Sequence, residues 1–450
     1  MPVEDALLTE VLASLPGVAR LDPGVTTAGG LDSAFPVSEL ASAAIHSAAL
    51  AAADYAGSAH VTVDRRLASA WFATSIRPMG WTLPPAWDAI AGDYRTRDGW
   101  VRLHTNAPHH RAAALAVLNT DNSPESVTAA VLSWNGDELE AAVIAAGGCA
   151  AVMRTIDEWS TSAQGIAVAA EPLITWKDLG SGPAPRQMGT MLRPLTGVRV
   201  LDLTRVLAGP IATRFLALLG ADVLRVDPPE WNESVLPEVT LGKRTTRLNL
   251  TDDDDRASFT ALLATADVIV HGYRPSALER LGFGEHERQQ IRPGLIDIAI
   301  DAYGWSGPYA DRRGFDSLVQ MSTGIADAGM REAGSTRPVP LPVQALDHAT
   351  GYFAAAAALN ALTHRRSSGI GRSARLSLAR TAELLISHRA EGDHTPFPPL
   401  TKDDFDPQHE ATSWGPALRL RQPIAIEGVE LRAGPARDLG LDEPRWSHTG

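Results

Sequence analysis

Residues 198–226 read VRVLDLTRVLAGPIATRFLALLGADVLRV. The apolar run 198–203 has strand character, Ala208-Gly209-Pro210 makes a turn, a helix runs from there through 218, and 221–226 reads as a second strand. A strand, helix and strand so closely spaced form a βαβ unit, and hence a right-handed crossover in a parallel sheet. Further strands are expected at 267–270 and 295–300, with a helix over 252–264. The fold class is therefore α/β, a Rossmann-like doubly wound parallel sheet. The turn RVLAGPIAT lacks the G-x-G-x-x-G spacing and places Pro210 at the helix start, so it argues against NAD while leaving a helix N-terminus free for an anion.

Working outward, a run of turn formers, DLGSGPAPRQMG, interrupts all apolar periodicity and marks 177–194 as a linker. It separates the βαβ region, 195–450, from an N-terminal part that divides again. Residues 80–176 carry a hairpin signal, YRTRDGWVRL, with Asp98-Gly99 at its turn, and then three short helices. Ser123 and Pro124 open the second of these helices, so the region reads as a smaller α+β domain. Residues 1–79 form a helical segment: a helix at 38–53, a stop at Gly57, the strand VTV and a helix at 64–72. The same order occurs around 353–385, where RRSSGIG ends an alanine-rich helix and ARLSL follows, which raises a partial internal repeat.

The chain has 450 residues, with 53 acidic and 40 basic side chains and a formal net charge of -13. A balance of that sign gives no general attraction to nucleic acid or to an anionic membrane, so any phosphate-bearing ligand needs a local basic cluster. The lone Cys149 excludes an intrachain disulfide framework and a cysteine zinc site, and fits the reducing cytoplasm. The N-terminal run MPVEDALLTEVLASLPG carries acids where a secretory leader carries bases, and the most apolar tracts are too short for a bilayer. His104, His109 and His110 lack ligand spacing with any acid, and no metal site is expected.

Several segments together are more specific than any one of them. LTGVRVLDLTRVLAGPIATRFLALLGADVLRVDPP, GKRTTRLNL, ADVIVHGYRPSALERLGFG and YGWSGPYADRRGFDSLVQMSTG follow in order from Leu195. Together they resemble the family III CoA-transferases, the CaiB/BaiF family, which also contains acyl-CoA racemases. The resemblance implies an acyl-CoA:carboxylate CoA-transferase with an aspartate nucleophile near a helix start. VPLPVQALDHATGYFAAAAALNAL places that role on Asp347. A carboxylate is chemically sufficient, because attack on a thioester gives a mixed anhydride that CoA thiolate reopens as an aspartyl thioester. A helix N-terminus is expected to favour the anionic form of Asp347.

The resemblance also places Lys243, Arg244, Tyr273, Arg274 and Arg280 along the CoA nucleotide, with Tyr273 on the adenine, and has Gly209 and Pro210 shape the turn approached by pantetheine. It implies acyl-CoA and a carboxylic acid acceptor as substrates, coenzyme A only as part of the acyl-CoA substrate, no permanently bound cofactor, and an interlocked homodimer. Racemases similar to this chain carry a histidine where Phe315 precedes Asp316, so an acyl-CoA racemase is the weaker alternative; a catalytically inactive CoA-binding protein is another. His348 is expected at the surface or behind the site.

Departures from the family pattern matter as well. Residues 88–119 and 144–159 resemble the family's small domain but lie before the βαβ region, so the family segments stand in rearranged order. Leu207 replaces a glutamine of some members, which disfavours oxalate-type substrates, and only Gly80 marks the place of a glycine-rich lid.

Overall fold

The computed structural model describes residues 1–20, 24–26, 29–182, 189–274, 276–389 and 398–447. Residues 183–188 of the expected linker and 21–23 and 27–28 of the expected N-terminal segment lie outside the described residues.

A seven-stranded sheet forms the centre. From one edge its strands are Arg244–Arg247, Asp222–Asp227, Arg199–Leu203, Val268–His271, Ile296–Asp301, Ile370–Ser377 and Thr175–Ser181. The first six are parallel, and only Thr175–Ser181 runs antiparallel. Counted in chain order, the parallel strands stand 3-2-1-4-5-6, the doubly wound order of a Rossmann-like α/β fold. Val200, Leu201, Val268, Ile269, Val270, Ile296 and Ile298 are all completely buried. Such unbroken apolar strands require a sheet covered on both faces.

The strand Thr175–Ser181 occupies the head of the segment expected to be linker. Its side chains are mostly exposed and alternate poorly, so apolar periodicity gives no signal there. What holds it is backbone pairing with Ile370–Ser377 and the Arg372–Asp178 ion pair at 2.6 Å.

The helix Ala345–Ser368 spans 24 residues and packs against the helices Ala208–Leu218 and Val37–Ala56. Small side chains permit this crowding. Ala354 to Ala358 are fully buried, and a Cβ at Gly351 would fall 2.9 Å from Ile211 Cβ and into the Ala208 carbonyl oxygen. Gly369, at φ 75°, ends the helix before the strand Ile370–Ser377 and the Ser377-capped helix Leu378–Ser387. Val37–Ala56 likewise ends at Gly57, φ 75°, before the strand Val61–Asp64 and the Asp64-capped helix Arg65–Ala73.

The smaller module has its own antiparallel sheet of Gly92–Arg95, Trp100–Leu103 and Ala150–Val152, and its own core around Ile90, Val101, Val127 and Leu139. It docks through Trp100, Cys149 and Ala151 onto Leu318, Met321 and Ala326, where Arg154 N–H also meets the Met321 carbonyl at 3.0 Å. Among the described residues no helix is long and apolar enough to cross a membrane, and no group of three or more His, Cys, Asp or Glu could hold a metal ion.

Candidate active site

Strand order reverses between Arg199–Leu203 and Val268–His271, where Leu203 and His271 are register partners. A crevice opens outside the carboxyl ends of strands at such a point. Here it is a cavity of about 410 Å³. Its floor comes from the segments after those strands, Thr204 to Val206 and Gly272 to Arg274, with Asp301 from the next strand. The smaller module contributes His109 and His110 to the wall, and the loop before the helix Asp316–Ser322 contributes Arg312, Arg313 and Phe315. Asp347 and Gly209 complete it.

The turn after Leu203 is strained. Val206, a β-branched residue, has φ 65°, and its N–H is held by Glu233 Oε2 at 2.9 Å. Holding such a residue in the left-handed region costs about 1–3 kcal/mol, which the surroundings must offset. Arg205 stacks 4.7 Å from the Trp231 ring centroid and 5.5 Å from that of Tyr273, and donates to the Tyr273 hydroxyl at 3.2 Å. Arg313 donates to the Gly147 carbonyl at 2.8 Å and Arg274 to that of Asp311 at 3.3 Å. Among the described residues none of these three guanidinium groups has a carboxylate partner. Arg312, by contrast, is paired with Glu140 at 2.7 Å. A chain with a net charge of -13 thus lines this cavity with uncompensated positive charge.

Asp347 lies in the first turn of Ala345–Ser368 and is 7% exposed. Burial, and next the charge of Asp316, raise its carboxyl well above the usual carboxylate range. This corrects the expectation that the helix start favours the anion. The N–H groups of Leu346 and Asp347 instead donate to Asp316 Oδ2, at 2.8 and 3.0 Å. The Asp316 carboxyl is pushed up to about 6 by burial, against the lowering effect of these bonds. Asp301 is likewise raised well above its ordinary range by burial, while accepting from Gly304 N–H at 2.8 Å.

Of the residues singled out from sequence, Asp347, Gly209, Tyr273 and Arg274 meet in the cavity wall. Gly209 is close to Thr204, where an added Cβ would lie 2.7 Å from Thr204 Oγ1. Pro210, one residue further, is buried behind the wall. Lys243 is buried beneath the turn, its Nζ 2.8 Å from Asp202 Oδ2 and 2.8 Å from the Pro210 carbonyl. Burial lowers its ammonium to about 8, with Asp202 opposing. Arg244 lies between Asp222 and Asp442, at 3.6 and 3.7 Å, and Arg280 is exposed, donating to Ser276 Oγ at 2.6 Å. None of Lys243, Arg244 and Arg280 is part of the wall. His348 is buried, 4.9 Å from the Phe72 ring, and burial drops it to about 3; it is not a surface histidine.

Sequence reasoning missed Arg205, Arg312, Arg313, Asp301 and the His109-His110 pair. The signal for the arginines was present, since TRVLAGP and ADRRGFD flank the expected turn and helix start.

Residues 195–398 match the model of CoA-transferase family III. That segment belongs to CoA-transferase family III. The probable fatty acyl-CoA transferase Rv3272 of Mycobacterium tuberculosis is 35% identical over 196 residues, covering 40% of this chain and 48% of that protein. Acetyl-coenzyme A transferase nodX of Hypoxylon pulicicidum is 35% identical over 206 residues, 44% of this chain and 34% of its own length. The chain thus spans about half or less of these curated relatives. A crystal structure of Rv3272 covers 44% of this chain and 59% of its own at 32% identity, with a TM-score of 0.40. The family III segment supplies Asp347, Phe315 and all four cavity arginines, whereas His109 and His110 come from outside it.

Proposed function

We propose that the chain is an acyl-CoA:carboxylate CoA-transferase that works through a covalent intermediate on Asp347. The observation that carries this reading is the placement of a cavity-facing carboxyl, Asp347, in one pocket with three guanidinium groups that lack carboxylate partners among the described residues, at the point of strand-order reversal. Phosphates of CoA suit Arg205, Arg274 and Arg313, and the aromatic faces of Trp231 and Tyr273 beside Arg205 suit a base.

In this mechanism the Asp347 carboxylate attacks the thioester carbon, a C–O bond forms, and the C–S bond breaks to release CoA thiolate. The thiolate attacks the Asp347 acyl carbon of the mixed anhydride, giving an aspartyl-CoA thioester and the donor carboxylate. The acceptor carboxylate attacks that thioester, again releasing thiolate, which then takes the acceptor acyl group and frees Asp347. No net proton is consumed. Phe315, stacked on His104 with ring centroids 3.7 Å apart, offers no group for moving an α-proton, which supports transfer over racemisation. Lys243 serves this reading from below by holding the Pro210 carbonyl and so the turn.

The apolar and neutral imidazole lining from Phe315, Ala302, Leu378 and His110 favours acids larger or less polar than oxalate. Work in the cytoplasm and pairing with a second copy belong to the same proposal, and rest on composition and on the family resemblance.

The test is incubation with acyl-CoA followed by peptide mass spectrometry. A CoA-sized, hydroxylamine-sensitive adduct on Asp347 is expected, with no exchange by Asp347→Ala. Undiminished exchange by Asp347→Ala would falsify the mechanism.

A further inference from the structure

We propose that Asp316 is the positioning residue of the reaction, fixing the backbone of Asp347 and keeping a second negative charge beside it. The inference rests on the reading of Asp347 as the nucleophile. The helix Ala345–Ser368 begins at Gln344 with no side-chain cap of its own. Its first N–H groups need acceptors, since they have no partner within the helix. Asp316, completely buried and 31 residues earlier in the chain than Asp347, supplies one oxygen to two of them, on Leu346 and on Asp347 itself.

The second Asp316 oxygen is held by the Gln320 side-chain amide one turn on, and Gln320 Oε1 accepts from Leu341 N–H at 2.7 Å. Asp316 and Gln320 therefore join three parts of the chain: the helix Asp316–Ser322, the approach at Leu341 and the first turn that bears Asp347. Because Asp316 consumes the local N–H groups, the Asp347 side chain is left to face the cavity without a hydrogen-bond partner among the described residues.

The elements packed around the pair carry other titratable groups: Arg102, His110, Arg214, Asp301, Arg312 and His348. Arg102 acts on Asp316 and lowers it. The charge acting on Asp347 is that of Asp316, and it opposes ionisation. A purely structural cap would contribute only the hydrogen bonds. A positioning residue contributes the charge as well, and the two effects separate in an isosteric variant.

The experiment compares Asp316→Asn, Asp316→Ala and Gln320→Ala with the wild type, following kcat and kcat/KM for CoA exchange across pH. Asp316→Asn keeps one acceptor oxygen for the Leu346 and Asp347 N–H groups, gives up the oxygen that accepts from the Gln320 amide, and loses the charge, so the acid limb of the profile should move to lower pH by about one unit. Asp316→Ala loses the anchor, and kcat should fall about 100-fold while KM for acyl-CoA stays within about twofold. Gln320→Ala leaves the charge in place, so kcat should drop with the acid limb unmoved. An unmoved limb in Asp316→Asn overturns the proposal, as does an equal loss in Asn and Ala. Absence of any Asp347 adduct in the wild type would instead remove the underlying mechanism, whatever the Asp316 variants do.

Discussion

A carboxyl group largely withdrawn from water holds its proton more tightly, and Asp347, 7% exposed, is such a group. Its nucleophilic form is the anion, so exchange should fall as pH drops through the raised value. The acid limb of kcat/KM is therefore expected above the ordinary carboxylate range, and a pH profile checks this. Stability should show the opposite trend. The folded state binds the Asp347 proton more tightly than the unfolded chain does, so stability is lost as pH rises through the folded value. Asp347→Asn should accordingly melt higher than the wild type near pH 8, with the gain shrinking in acid, as read by calorimetry. The place of Asp347 at a helix start was legible in VQALDHATGY. Its elevated proton affinity was not, because that depends first on tertiary burial and then on Asp316, which no local pattern brings to Leu346 and Asp347.

At the scale of elements, apolar period served where burial is continuous. The strands Arg199–Leu203, Asp222–Asp227, Val268–His271 and Ile296–Asp301 lie within a residue or two of their expected spans. It gave nothing for Thr175–Ser181, whose pairing is a matter of backbone bonds at a sheet edge. The contact of Ala345–Ser368 with Ala208–Leu218 depends on the missing side chain of Gly351. Gly351→Ala should force the two helices apart at a cost of about 1–3 kcal/mol. Because Ala208 carries the impact, the Gly209 turn shifts with it. Urea unfolding should show a lower midpoint, and CoA binding should weaken in parallel.

At the scale of the whole molecule, a net charge of -13 surrounds a basic cavity. Long-range repulsion of an anionic ligand and its local capture both weaken as salt rises, but capture at short range dominates affinity. Raising ionic strength should therefore increase the dissociation constant for CoA. Arg205→Ala should weaken CoA binding by about 1.5–3 kcal/mol, roughly 10- to 100-fold, and flatten the salt dependence, as measured by titration calorimetry. The cavity is shared between the family III segment and the module before it. Sequence reading assigned the former most of the site but not the histidines of the latter, since their role depends on docking.

The connection between that module and the sheet is short and pinned. The last helix of the module ends at Ala170, Leu173 and Ile174 are buried, and the Glu171 side chain holds Trp305 N–H at 2.9 Å just before Thr175 enters the sheet edge. The chain leaving the module is thus fastened to the main core at that joint. Nucleotide binding should therefore follow a single exponential whose rate climbs linearly with ligand concentration, without the plateau that a slow closing step imposes.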